Sequence, residues 1–290
     1  MNLQKKKNFL PLIEFKVKDI IFSKVFIISH IILVAIVCIL VKGLIDAADM
    51  YDFKINNWDI VFRVITFPFL IVYVYIPILI IITNKIQKRD RDIYSVAIRI
   101  KEKKKIIFVN TLVEIIIILM SIVMVYGVTV ILSLISTSFS VNWSDAILGV
   151  GMNPTIAMQL YPSAFITQIS PINAFVISFV QLFIGLMLIM AIRDFLCEYL
   201  KSFKTAIIIT ALILFINFGL TMIPIILNSS VTIQAFNLSS FVLIWMHNFG
   251  ELTDYVLTIG QSIGLGIIII IIINCVRFLN SRNMVVNNDL

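Results

Sequence analysis

Charge is scarce in this chain. Asp, Glu, Lys and Arg make up 13% of its 290 residues, against 60% hydrophobic, and its mean hydropathy is +1.06. That excludes an ordinary water-soluble domain, which has no use for so much apolar surface, and implies a polytopic membrane protein. Histidine and cysteine are scarcer still. His30 and His247 are the only histidines, and Cys38, Cys197 and Cys275 the only cysteines. None falls at metal-ligand spacing, and the cysteines lie in expected spans or on the side that stays reduced, with no reason to pair. There is no HExxH and no Ser–His constellation within a span, which argues against intramembrane hydrolysis. A glycine loop ending in Lys-Ser/Thr is missing too, so the chain cannot hold ATP in that manner by itself. The expectation is a non-enzyme that binds no cofactor or metal of its own.

The formal charge of +7 does not point to nucleic acid, because the basic residues collect on one side of a membrane. Asn84 to Lys105 is the one long charged run, with nine Lys/Arg against Asp90, Asp92 and Glu102. Within it Ile93, Val96, Ala97 and Ile100 recur at i, i+3, i+4, i+7, the apolar stripe of a short helix. Asp90 and Asp92 at its start and lysines at its end both suit the helix dipole. The run is either a basic loop that only fixes topology, or a helix whose apolar stripe is covered by a soluble partner.

Six apolar stretches are long enough to cross a bilayer: Val25–Val41, Val64–Thr83, Ile106–Ile135, Ile172–Ile192, Thr205–Leu227 and Tyr255–Val276. Pro68 and Pro77 in the second imply a kink. Lys and Arg assign the sides. Twenty of the 23 fall in the N-terminal segment, the Asn84–Lys105 run, a second inner loop (Arg193, Lys201, Lys204) and the tail (Arg277, Arg282). Both ends are therefore expected in the cytoplasm of a cell-membrane protein. The basic start, Lys5 to Lys7, lacks a small-residue cleavage site after it and reads as part of a retained anchor. Leu10–Lys24 reads as an interfacial helix meeting membrane lipid, or as a solvated leader. Ser136–Ser170 and Asn228–Asp254 contain no Lys or Arg. The second holds an apolar run, Phe241–Met246, too short to cross, as expected of an external re-entrant hairpin. The fold class is all-α: one transmembrane domain over residues 1–290, with no soluble domain and no internal repeat.

Glu114 is the one carboxylate expected deep in a span, about 13 Å from Lys105. It is either a functional group or a protonated bond between helices, and His30 lies within reach to pair with it. Gly260 and Gly264 have GxxxG spacing, which permits close helix contact. Gln181, Asn217, Gln261 and Asn274 are either glue between helices or lining of a pathway.

This order of parts resembles the membrane subunit of type-two ATP-binding cassette exporters. The shared parts are six spans, inner termini, the helix around Leu10–Lys24, an inner helix at Arg89–Ile100 and the hairpin Leu238–Phe249. The resemblance covers nearly the whole chain. It implies that Arg89, Asp90, Arg91, Asp92, Ile93, Tyr94, Val96, Ala97 and Ile100 dock a separate soluble ATPase subunit. It also implies that ATP stays on that partner and that two permease subunits, identical or paralogous, form the pathway. Hydrophobic or amphipathic cargo (a peptide, drug or lipid-like molecule) fits so apolar a chain. The Gly-Thr pair and later proline of many members' inner loops are missing here. The competing expectation is a proton-linked secondary transporter using Glu114.

Overall fold

The computed structural model describes residues 10–97, 103–148, 168–200, 202–227, 238–244, 247 and 257–286. Among these there is helix and no strand. The chain opens with α1 (Leu10–Ile21), then α2 (Lys24–Met50), for which Ser23 caps the N-terminus by accepting from the Phe26 amide. A nine-residue helix, α3 (Asn57–Ile65), follows, then a π-helical segment (Phe69–Tyr75) and α4 (Ile76–Ala97). After α5 (Lys103–Ser136) and the short α6 (Asp145–Leu148) come α7 (Pro171–Leu200), α8 (Phe203–Leu227), a 3₁₀ turn (Leu238–Phe241) and α9 (Ile259–Val286).

Five helical stretches are long and apolar enough to cross a membrane: Lys24–Met50, Phe69–Ile86, Lys105–Ser136, Pro171–Leu200 and Ile259–Asn280. In α8 the described apolar stretch, Lys204–Asn217, is shorter. The second span differs from the sequence expectation at its start. Val64 and Ile65 belong to α3, and the chain breaks at Thr66 and Phe67 before re-entering helix at Pro68. Asn56 explains the extra helix. Its side chain accepts from the Trp58 and Asp59 amides while the Asp59 carboxylate accepts from the Asn56 amide, a complete capping box. The helix expected at Arg89–Ile100 is not set apart from this span either, because α4 runs without interruption to Ala97. Ile100 lies outside the described residues, as do all of 149–167 and most of 228–256.

The spans pack around one large apolar cluster that includes Leu33, Phe62, Ile76, Ile118, Leu186 and Leu243. A smaller cluster (Ile20, Phe26, Ile86, Val113, Ile117) seats α1 against α2, α4 and α5. Polar layers close the bundle at both ends. At the end remote from α1, α3 is clasped to the segment after α5. Trp58 Nε1 donates to Ser140 O at 2.8 Å, Asn56 Nδ2 to Asn142 O at 2.9 Å, and Ser140 N to Asn57 Oδ1 at 2.8 Å. Trp143 packs edge-on against Phe62 and donates to Ile169 O, two residues before α7.

Asp59 is buried inside this clasp at 3% exposure. Burial pushes its carboxyl up to about 6, opposed by the neighbouring Ser144 hydroxyl and the Asn56 amide. A folded-state value above the usual 3.8 means the fold binds this proton more tightly than the unfolded chain does. The clasp therefore gains stability as pH falls through 6, by about 1 kcal/mol between pH 8 and pH 5. Thermal melts followed by tryptophan emission should show this gain, and Asp59→Asn should abolish the pH difference.

Candidate functional site: a buried charge network across four spans

α5 carries Asn110, Glu114 and Ser121 within about 40° of one line, since steps of four and seven residues nearly close whole turns of a helix. Each takes a basic partner from a different helix. Lys16 of α1, 5% exposed, donates to Asn110 Oδ1 at 2.7 Å. Arg193 of α7 meets Glu114 Oε1 at 2.5 Å. His30 of α2 pairs with Ser121 Oγ at 2.8 Å.

Arg193 is the hub and is completely buried. Besides Glu114, its guanidinium reaches Asp194 Oδ1 through both Nε (2.9 Å) and Nη2 (2.5 Å), and Nη1 donates to the Thr83 hydroxyl of α4. Asp194 extends the chain outward. Its second oxygen accepts from Arg277 Nη2 of α9 at 3.1 Å. Arg277 also contacts Glu198 Oε1 at 3.1 and 3.2 Å and donates to Asn274 Oδ1 at 2.9 Å. Glu198, one turn beyond Asp194 and with its side chain 26% exposed, is where the network approaches solvent. A guanidinium presents five donors in a rigid planar fork, so one residue can satisfy three acceptors from three helices at once. The result ties α4, α5, α7 and α9 together at the end of the bundle where the basic residues gather.

α1 joins the same end. Beyond Lys16–Asn110, Lys85 of α4 bridges Asp19 Oδ2 at 3.2 Å and donates to the Asp19 carbonyl at 2.9 Å. The helices on either side of the 98–102 connection are thus held by α1 as one block.

Several residues singled out in the sequence are placed differently. His30 does not pair with Glu114. Its Nδ1 faces the Phe26 carbonyl and must donate, so Nε2 accepts from Ser121, two turns along α5 from Glu114. Arg193 and Arg277, assigned from the sequence to a loop and a tail, are buried within helices that run on past them. Gly260 and Gly264 bring no backbone close, because a Cβ at either would meet nothing within 4 Å. The close approach falls at Gly185, whose missing Cβ makes room for the Phe241 carbonyl, and at Gly266 against Ile184. The glue role holds for two of the four polar residues. Gln181 Nε2 donates to His247 Nε2 at 2.9 Å, and Asn217 Oδ1 accepts from the Leu238 amide at 2.5 Å. Gln261 caps its own helix through the Thr258 amide, and Asn274 bonds within α9 and to Arg277. These contacts seat Leu238–Ile244 and His247 among α7, α8 and α9, with Phe241 to Ile244 all buried.

Of the nine docking residues implied by the resemblance, Arg89, Asp90, Arg91, Asp92, Ile93, Tyr94, Val96 and Ala97 lie on the last turns of α4, and the described residues include none of their side-chain surroundings. No protein-family model matches the chain, and comparison with curated proteins and with solved structures finds no match.

Proposed function

We propose that this chain is the membrane subunit of an ATP-driven exporter, with six spans, both ends in the cytoplasm and a separate ATPase docked at residues 89–100. The observation that carries the reading is mechanical continuity. α1 locks the helices flanking the basic connection into one block, and the Arg193 network links that block to α7 and α9. A push on the end of α4 would then reach α5, α7 and α9 through these charged contacts. ATP would close two ATPase subunits, and the docked helix ends would pass that motion into the spans as a shift between two packings. A second permease subunit completes the pathway. The chain breaks no bond itself, and its cargo is hydrophobic or amphipathic. The seated segment Leu238–Ile244 fits the re-entrant hairpin of this reading.

Proton-linked transport on Glu114 is less well supported. Such a carrier needs a carboxyl free to take and release a proton, and Glu114 is engaged with Arg193. Affinity purification of the full chain from its own membranes should bring down an ATPase in comparable amount. Ile93→Asp or Ile100→Asp should abolish its recovery while leaving the membrane chain monodisperse. A chain that purifies alone and transports in ATP-free vesicles would overturn the proposal.

A further inference from the structure

Every residue of α3 is buried except Trp58 and Arg63. Arg63 lies well below the outer surface. Its neighbours Val64 and Ile65 line one small void together with Leu33 of α2, Tyr126 of α5 and Leu182 of α7. Leu33 stands midway between Lys24 and Lys42, two exposed lysines of α2, about 14 Å along the helix from each. α3 therefore enters the apolar layer and forms the outer half of the second span, with the chain breaking at Thr66 and Phe67.

A guanidinium at this depth is costly without an anion. Asp59, one turn back, does not supply one, because its carboxyl accepts from the Asn56 amide and stands beside Ser144. The contact Arg63 makes is with the Phe67 ring, Cζ 4.9 Å from the centroid, and among the described residues no oxygen accepts a hydrogen bond from it. Phe67 lies one turn nearer the middle of the bundle, so the side chain leans inward and does not snorkel to the outer surface. A flat fork of five N–H donors is thus oriented by a ring and left open. Below it the rings continue in a row. Phe67 and Phe69 have centroids 5.7 Å apart, Phe69 stacks with Tyr73 at 5.6 Å, and Tyr73 stands edge-on to Phe215 of α8 at 4.6 Å. Phe69 and Phe215 are 55% and 59% exposed, so the row is open from the side where lipid lies.

We propose that Arg63 and this row of rings bind an acidic amphiphile drawn from the bilayer, its carboxylate or phosphate head on the guanidinium and its chain along Phe67, Phe69, Tyr73 and Phe215. The fork matches two oxygens of such a head, and an ion pair gains strength where water is excluded. One open cation selects one negative charge, and the aromatic wall takes an apolar chain without further polar contacts. As the cargo of transport this amphiphile rests on the exporter reading above, whereas its binding does not.

The test uses the full chain in phosphatidylcholine nanodiscs, with neither ATPase nor ATP, so its outcome is separate from that reading. The probe is oleate carrying a diazirine near the end of its chain, in alkaline buffer that keeps the head ionised. Illumination should label residues 67–73 and 212–216, located by peptide mass spectrometry. Unlabelled oleate should compete at least about five-fold better than oleyl alcohol, which has the same chain and no charge. Arg63→Gln should lower the labelling at least about five-fold, and Arg63→Lys by less, since the charge stays while the fork is lost. Equal competition by the alcohol, or unchanged labelling in a folded Arg63→Gln chain, would overturn the proposal and leave the rings as a surface for lipid tails alone. Should Arg63→Gln fail to fold, the competition on the unaltered chain decides.

Discussion

Replacing Arg193 with methionine should destabilise the membrane domain by about 3–5 kcal/mol, the usual cost of removing one partner from a buried ion pair. The side chain is completely buried, and its loss removes the ion-pair partner of the Glu114 carboxylate and two hydrogen bonds to one oxygen of Asp194. Arg193→Lys should recover only part of the loss. An ammonium is a point charge on a flexible stem and cannot hold Thr83, Glu114 and Asp194 in the fixed geometry of the fork. Glu114→Gln should cost less, about 1 kcal/mol, because Arg193 keeps Asp194 and a neutral amide still accepts. The decisive comparison is the double variant Arg193→Met with Glu114→Gln. If the two residues act as a pair, it should be more stable than Arg193→Met alone, by a margin read from thermal melts in detergent. Additive effects would mean that Glu114 is held by something other than Arg193.

Gly185→Val is expected to do comparable damage by a different route. A Cβ at this position would stand 2.8 Å from the Phe241 carbonyl carbon and 2.8 Å from Val242 Cγ2, and nearer still to the Phe241 carbonyl oxygen. Backbone cannot swing aside as the end of a side chain does, so Leu238–Ile244 must lift off α7, taking with it four buried apolar residues. Overpacking of this kind costs about 3 kcal/mol. Gly266→Ala should be milder, since the nearest obstacle is Ile184 Cγ2, the movable end of a side chain. Gly260→Ala and Gly264→Ala meet nothing within 4 Å and should stabilise their helix slightly, by about 0.5–1 kcal/mol. Melting temperatures should therefore be lowest for Gly185→Val, higher for Gly266→Ala and highest for Gly260→Ala and Gly264→Ala, and a loss at Gly264 as large as at Gly185 would contradict the assignment.

The contrast between these glycines shows what the sequence makes legible. Spacing announces that glycines can be approached, but not which of them is. That depends on where Phe241 is carried by a segment with no periodicity of its own. The apolar runs are plain from composition, because a bilayer-length helix needs nothing beyond length and hydropathy. Glu114 stands out for the same reason, as a charge where charge is costly. Its partner was hidden by an accident of neighbourhood. Arg193 sits in the sequence beside Asp194, Glu198 and Lys201, a cluster that resembles the start of a loop, yet α7 continues through Leu200 and buries it. The available signal was the balance of sign: a deep carboxylate on α5 calls for a cation at matching depth on another helix, and Arg193 stands at the inner end of the next span. The start of the second span was readable in retrospect from Asn56 and Asp59, three residues apart, the spacing of a capping box. The lack of a donor at Pro77 announced a disturbed turn, though not its π form.

The whole reading turns on which face of the membrane carries the basic end. The direct measurement is membrane-impermeant thiol labelling of a chain whose only cysteine replaces Lys101, carried out on intact cells and on inverted vesicles. The account predicts labelling in inverted vesicles and none in intact cells, as expected if the Lys/Arg-rich connection between α4 and α5 lies in the cytosol within reach of an ATPase. Labelling in intact cells would place that connection outside and contradict the account.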